Sequence, residues 1–284
     1  MWKGARVAAI DESMTAQKII RDNPVRSLAK AVLLLEVLAS EREATPRRLS
    51  EVLNEPRTTV YRLLTSLEAL DMVEPGSQSG TWRLGLRLLR LGSAVTERLD
   101  ERQAALPVME RIHEATEETV FLCVRRGDEA VCIERIEGLH VQSLALRLGG
   151  SLPLHAGAAP RTLLAWEPRA EWEAYLERAA LLDKYTDRTP VTRSELFAEL
   201  ERTLAQGYAT SDEDITPGIG SLGAPIFDHS GQIRAAISIG GLRQVLLEEM
   251  RDEAIGMLVV GAREISVALG YASENGVMRG LLDA

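Results

Sequence analysis

Apolar positions in the first third of the chain recur at helical spacing in three segments separated by turn residues. The first segment begins near Pro24 and Val25. There Leu28, Ala31, Val32, Leu35, Leu38 and Ala39 form one stripe, and Leu33, Leu34 and Val37 crowd a second. A helix with two apolar faces contacts two things. One face should pack on its neighbours; the other is a candidate dimer contact or further intramolecular burial. The second segment is short. Thr45 supplies a capping hydroxyl, and Pro46 takes the first helical position, where its missing N–H costs nothing. Leu49, Val52 and Leu53 follow, and Asn54 can adopt the left-handed conformation that ends a helix. Pro56 opens the third segment, whose Val60, Leu63, Leu64 and Leu67 keep the i, i+3, i+4, i+7 spacing of a half-buried helix. Residues 72–74 and 81–84 then read as two strands around a turn-rich tip at 75–80.

The polar side of the third segment carries the chemistry. At about 100° per residue, Thr58, Arg62 and Thr65 point away from the apolar stripe, with Thr59 and Tyr61 beside them and Arg57 in the first turn. Arginine pairs bidentately with guanine, threonine reaches a base edge or a thymine methyl, and tyrosine hydrogen-bonds phosphate. The same residue types also occur on plain solvated helices, so the face alone leaves both readings open. The hairpin shifts the balance: two helices joined by a tight turn and followed by a β-wing are the plan of a winged helix-turn-helix that reads DNA. Arg83 on the wing and Arg47 on the short helix are its expected phosphate contacts. Trp82 is expected as a core residue under the wing rather than a base-stacking one.

Further along, residues 86–118 read as two helical stretches, with Pro107 marking the start of the second. Short strands follow at 120–124 and 130–133 around a turn at 126–128, and another at 142–148. Helices are expected near 161–165 and over 194–205, the latter capped by Ser194. Strands recur at 208–211, 222–227 and 233–239 before a last amphipathic helix at 246–269. Helices mixed with hairpins argue an α+β domain with an antiparallel sheet. The expected organisation is a flexible arm at 1–22, partly helical around 14–20, a DNA-binding domain at 23–85, a helical linker at 86–104, an effector-binding domain at 105–270 and a tail at 271–284. A helical linker transmits orientation better than a floppy one.

Charge complicates the DNA reading. The chain of 284 residues has net charge −9, unfavourable for a polyanion partner. The distribution softens this. Residues 1–92 carry 14 Lys and Arg against 11 Asp and Glu, and the remainder 19 against 31. DNA affinity must therefore come from a local patch of Arg47, Arg48, Arg57, Arg62 and Arg83, with strong salt dependence. Composition is that of a soluble protein, with no apolar run near the roughly 18–20 residues of a membrane span and no secretory signal at the N-terminus. Cys123 and Cys132 form no metal spacing or disulfide framework, which suits a reducing cytoplasm. On neighbouring strands they would face one another, with small buried hydrophobes as the simpler role.

Several ordered pieces of sequence together resemble the IclR family of bacterial transcription regulators over residues 25–270. They are VRSLAKA from Val25, TVYRLL from Thr59, WRLG from Trp82, LLRLG from Leu88, LPLHA from Leu152, GIGSLGAPIFD from Gly218 and AAISIGG from Ala235. The resemblance implies a GAF-like sheet flanked by helices and a ligand-responsive transcription regulator, a repressor rather than an activator being the favoured of two open readings. Because one recognition helix covers too few base pairs to find a genomic site, a homodimer or homotetramer reading a palindrome is expected. It also implies an effector pocket formed by Leu146 on a strand, Leu154, Ala158 and Ala159 in a small-residue loop, Asp212, and Ser221 and Ser238 on later strands. Spacing alone leaves the glycines of that loop as turn formers; the resemblance makes them a place of close ligand approach, with the free N–H groups of the following helix pointing at the ligand. Asp212 as a pocket acceptor would favour a small metabolite that offers donors, unless Arg147 or the helix end offsets it. Two departures stand out: Pro160-Arg161 where Gly-Lys is usual, and Asn54 where the helix turn usually has Gly.

No G-x-S-x-G elbow, phosphate loop or zinc spacing occurs, so neither an enzyme, a metal nor a cofactor is expected. His155 sits in an apolar, small-residue loop and reads as a structural hydrogen-bonder. The rival readings are a hydrolase built from Ser, His and Asp, and a small-molecule-sensing module without DNA function.

Overall fold

The computed structural model describes residues 20, 23–96, 100–141, 145–179 and 181–271. The expected helix at 14–20 and the expected tail at 271–284 lie outside the described residues, apart from Ile20 and Tyr271. The chain divides into two compact units, residues 1–98 and 99–284.

The first unit is built on α1 (Arg26–Glu41), α2 (Pro46–Leu53), α3 (Arg57–Glu68), the hairpin β1 (Val73–Pro75) with β2 (Trp82–Leu84), and α4 (Leu86–Thr96). Local chemistry sets each boundary. Thr45 Oγ1 accepts from the Arg48 N–H, Pro46 begins α2, and Asn54 ends it at φ 50° while its N–H donates to the Ser50 carbonyl. The core joins Leu34 and Leu38 of α1, Leu49 and Leu53 of α2, Val60, Leu64 and Leu67 of α3, and Val73 of the wing. Trp82 packs partly buried against it, as expected. Its backbone also pairs with Ala44 in both directions, at 2.9 and 3.0 Å, which ties the wing to the start of α2. The wing tip is held by Glu43, whose carboxylate accepts from the Ser77 N–H and the Thr81 hydroxyl. On α1 the division of faces differs from the stripes read in the sequence. Ala29, Leu33, Leu34 and Leu38 go inward, while Val25, Leu28 and Val32 remain exposed.

The second unit is a six-stranded, fully antiparallel sheet with three helices on one face and two on the other. Its elements are α5 (Asp100–Thr116), β3 (Thr119–Arg126), β4 (Glu129–Ile136), β5 (Ser151–Pro153), α6 (Ala158–Ala165), α7 (Arg169–Ala179), α8 (Arg193–Gln206), β6 (Ala209–Asp212), β7 (Ile219–Phe227), β8 (Ile233–Leu242) and α9 (Arg251–Ala268). The strand order is β5-β4-β3-β8-β7-β6. Period-two alternation sorts the side chains. Val120, Leu122, Leu222, Ala224, Ile237 and Ile239 bury against α5 and α9. Phe121, Cys123 and Ala236 bury against the layer of α6, α7 and α8. Cys123 and Cys132 are register partners on β3 and β4, buried as free thiols. Gly223 lets α6 lie directly on the sheet, since a Cβ there would meet the Ala158 backbone at 2.9 Å.

Several boundaries differ from the sequence reading. The strand expected at 142–148 is not one: 142–144 lie outside the described residues, and 145–150 form a loop. Gly149, at φ 76°, and Gly150 close a turn there, and the strand that pairs with β4 begins only at Ser151. Pro107 lies inside α5; the start signal was Asp100 and Glu101, which complement the positive helix end. Pro107 is exposed and costs one backbone hydrogen bond, against which stands the packing of Ala105, Val108, Met109 and Ile112. The cap of α8 is Thr192, not Ser194, because Thr192 and Glu195 form a reciprocal capping box. The last helix is interrupted: Val245–Glu249 forms a wider π-type turn, and α9 starts after Met250. Helix α7 went unread, although Pro168 followed by Trp172, Tyr175 and Leu176 carries its signal.

Leu64, fully buried in the first unit, provides the check on this core. Leu64→Ala is expected to destabilise that unit by about 2–5 kcal/mol. Hydrogen exchange should rise across 26–84 and stay unchanged in the β-sheet of the second unit.

Candidate nucleic-acid interface and effector cavity

Helix α3 presents a polar face without a single carboxylate until Glu68. Arg57, Thr58, Tyr61, Arg62 and Thr65 are exposed and Thr59 is half-buried. Neither the Arg57 nor the Arg62 guanidinium has an ion-pair or hydrogen-bond partner among the described residues, and Tyr61 is 54% exposed. Free guanidiniums beside exposed hydroxyls are poised for a polyanion. The flanking arginines are engaged. Arg47 meets Glu51 at 2.9 Å, Arg48 meets Glu41 at 2.6 Å, and Arg83 meets Glu74, its register partner across the wing, at 2.8 Å. These are solvent-exposed pairs worth little on their own, so a phosphate can displace the carboxylate. The structure thus gathers all seven expected contact residues in one unit but separates a free pair on α3 from a neutralised rim.

In the second unit, a cavity of about 60 Å³ opens between the α6 N-terminus and the sheet. Leu146, Ala158, Ala159, Ser221 and Ser238 line it, five of the seven residues expected there. Phe121, Ser211 and Thr216 join them. Leu146 reaches it from the 145–150 loop, not from a strand. Leu154 does not line it, being fully buried in the core beneath α6. Asp212 does not line it either. Ser211 faces the cavity, so pleat alternation turns Asp212 to the opposite side of β6. There Asp212 meets Arg243 at 2.6 Å and Arg188 at 2.8 Å. The Asp212 carboxylate, with Glu248, holds the Arg243 guanidinium well above its usual range. The reason for preferring a donor-bearing ligand goes with it. The cavity offers the Ser221 and Ser238 hydroxyls, which make no protein hydrogen bond among the described residues. It also offers the first-turn N–H groups of α6, which have no intrahelical acceptor. That set suits an oxygen acceptor. Ser211 was legible in principle: it is the register partner of Ser221, and once one faces a cavity so does the other.

Behind that cavity lies a feature the sequence did not disclose. Arg161 and Asp214 are both almost fully buried and form an ion pair through Arg161 Nη1 and Asp214 Oδ2. Arg161 Nη2 donates to the Thr210 carbonyl at 2.5 Å. Asp214 also accepts from the Gly157 N–H at 3.3 Å and from the Ser211 hydroxyl. Gly157, at φ 91°, is the residue before α6. One carboxylate therefore ties the small-residue loop, α6 and β6 together. Of the departing pair Pro160-Arg161, Pro160 lines the cavity and Arg161 is a buried strut.

His155 behaves as a structural residue. Its Nδ1 lies 2.8 Å from the Tyr175 hydroxyl and its Nε2 2.9 Å from the Asp183 carbonyl. The carbonyl only accepts, which assigns the proton to Nε2 and leaves Nδ1 to accept from Tyr175. Burial pushes the imidazole below its ordinary value of 6.5 and the Tyr175 phenol upward.

Comparison with known proteins places both units. A family model described as the C-terminal part of the bacterial transcriptional regulator IclR matches residues 93–267, and one described as the IclR helix-turn-helix domain matches residues 27–76. The chain is 32% identical over 249 residues to the HTH-type transcriptional regulator KipR of Bacillus subtilis (strain 168), covering 88% of this chain and 99% of that protein. It is 34% identical over 260 residues to the HTH-type transcriptional repressor AllR of Salmonella typhi, covering 90% and 92%. Among solved structures, an IclR homolog from Microbacterium hydrocarbonoxydans in complex with 4-hydroxybenzoate matches with a TM-score of 0.74 at 26% identity. That match covers 86% of this chain and 98% of the other.

Two outcomes test the buried groups. Asp214→Ala strands a buried guanidinium and should cost about 3–5 kcal/mol in urea unfolding of the full chain. His155 resists protonation when folded, so below about pH 6.5 the unfolded chain binds a proton that the folded chain does not. Stability should therefore fall as pH drops through that range, and the fall should be shallower in His155→Gln, read from thermal unfolding at about pH 7.5 and 5.5.

Proposed function

The chain belongs to the IclR family of bacterial transcriptional regulators, and from that premise we propose that it is a repressor whose grip on a palindromic operator is set by a small organic acid. The observation that carries this reading is the face of α3, with Arg57 and Arg62 unpartnered beside exposed Tyr61 and Thr58. In this reading Arg57, Thr58, Arg62 and the half-buried Thr59 enter the major groove, Tyr61 meets phosphate, and Arg47 and Arg83 hold the flanking backbone. The relatives matched are transcriptional regulators, AllR being a repressor, which speaks against the hydrolase alternative.

A single recognition helix spans too few base pairs to select a genomic site, so the acting species is a homodimer or homotetramer. The exposed Val25, Leu28 and Val32 on the outer face of α1 support that assembly. The effector is an acid small enough for the cavity under α6, with its carboxylate taken by Ser221, Ser238 and the helix N-terminus. Leu146, Ala158 and Ala159 supply the wall. The 4-hydroxybenzoate complex of the Microbacterium hydrocarbonoxydans homolog supports an organic acid as the class. In the organisation we propose, residues 1–22 are an arm, 23–85 the DNA-binding domain, 86–104 the linker, 105–270 the effector domain and 271–284 a tail. Occupancy of the cavity shifts the linker helices and with them the spacing of the two reading heads. Such coupling is typically about 1–3 kcal/mol.

Footprinting on the DNA upstream of the chain's own gene tests the reading. A protected palindrome is expected, with half-sites about 10 base pairs apart. Arg62→Ala should weaken specific binding by about 1–3 kcal/mol and relax base choice at one position. An operator profile identical to that of the unsubstituted protein would remove Arg62 as a reading residue. Absence of any protected sequence at low and moderate salt would remove the proposal.

A further inference from the structure

We propose that the second unit carries another ligand site, for a small oxyanion, on the far side of the Arg161–Asp214 pair from the first cavity. A cavity of about 370 Å³ opens there at the edge of the sheet, where β6 meets α8 and the start of α9. Its lining residues, apart from Pro190, are polar or charged and include four arginines, Arg161, Arg188, Arg202 and Arg251. The three carboxylates that share the lining are each matched already. Asp214 holds Arg161, Asp212 is shared by Arg188 and Arg243, and Glu199 meets Arg202 at 2.8 Å. Arg251, at the first position of α9, has no partner among the described residues. Among the lining residues four arginines face three carboxylates, with Glu213 reaching Arg188 at 3.2 Å from outside, and Arg251 is left as the cation open to a ligand.

Two further groups point to the class of ligand. Arg161 Nε and the Thr210 hydroxyl are buried polar atoms that make no hydrogen bond, and both residues belong to the wall of this cavity. Arg161 Nε can only donate, and the hydroxyl can also donate. What the wall lacks is an acceptor, and a local rearrangement around a bound anion would provide one. Charge-assisted hydrogen bonds to guanidinium select planar or tetrahedral oxyanions, a carboxylate or a phosphate. The first cavity, by contrast, has no charged side chain in its lining. The two sites thus divide the work: one takes a compact acid on hydroxyls and backbone, the other a more highly charged anion on arginines. They share the Asp214 network as a common wall.

Calorimetric titration of the full chain with inorganic phosphate and, separately, succinate, against chloride at matched ionic strength, tests this. One of the two should saturate a single site per chain with Kd below about 1 mM. Saturation by phosphate alone identifies a phosphorylated compound, and saturation by succinate alone a polycarboxylate. Arg251→Ala and Arg202→Ala, both at exposed positions, should each weaken that binding by about tenfold or more. Ser221→Ala in the first cavity should leave it unchanged. The proposal is overturned if neither anion saturates, if binding survives both arginine substitutions, or if Ser221→Ala abolishes it.

Discussion

The second unit is organised around one buried charge pair. Removing a guanidinium and a carboxylate from water is costly unless each finds the other and the remaining donors and lone pairs are matched. Arg161 and Asp214 meet most of that demand: Asp214 takes Arg161, the Gly157 N–H and the Ser211 hydroxyl, and Arg161 also takes the Thr210 carbonyl. Two stretches of chain that are far apart in sequence, 157–161 and 210–214, are held together as a result. The small-residue loop must stay where Gly157 can reach Asp214. α6 must present Arg161 to β6, and Gly223 must stay small for α6 to lie on the sheet. The cavity under the α6 N-terminus exists because these constraints leave a gap lined by hydroxyls rather than by further core.

The two units use arginine in opposite ways. In the first, exposure keeps guanidiniums available: Arg57 and Arg62 stand free on α3, while Arg47, Arg48 and Arg83 are held loosely by neighbouring carboxylates. Weak exposed pairs keep the surface from being strongly basic, yet yield to phosphate. In the second unit Arg161 is buried against Asp214, and Arg188 and Arg243 clamp Asp212. The same side chain is exposed and available to a polyanion in one place and a structural strut in the other, and burial is the variable that decides which.

Much of the fold was legible locally. The capping hydroxyl of Thr45, Pro46 at the helix start and the positive φ of Asn54 are consequences of a few adjacent residues, and they stand as expected. Misread boundaries arose where two local signals competed. Pro107 looked like a helix start, but acidic residues seven positions earlier carried the stronger one. Ser194 looked like a cap, but Thr192 had Glu195 at the spacing a capping box requires. Within the strand expected across 142–148, the described residues 145–148 form a loop that runs into the turn closed by Gly149 and Gly150. For the site, Ser221 and Ser238 came through a family pattern, whereas Ser211 required knowing its register with Ser221.

Sequence alone determined most of the element types, the helix-turn-helix with its polar face and the acidic character of the remainder, because these depend on periodicity, caps and composition within short windows. Only the tertiary structure decided which face of β6 each residue occupies, and so removed Asp212 from the cavity and placed Ser211 in it. It alone showed that Arg161 finds Asp214, 53 residues away, and that Arg57 and Arg62 are left unpartnered while their neighbours are not. The physical reason is the same in each case. Pairing of charges and assignment of a strand's faces are settled by what lies across the fold, and that information is not contained in any local stretch of chain.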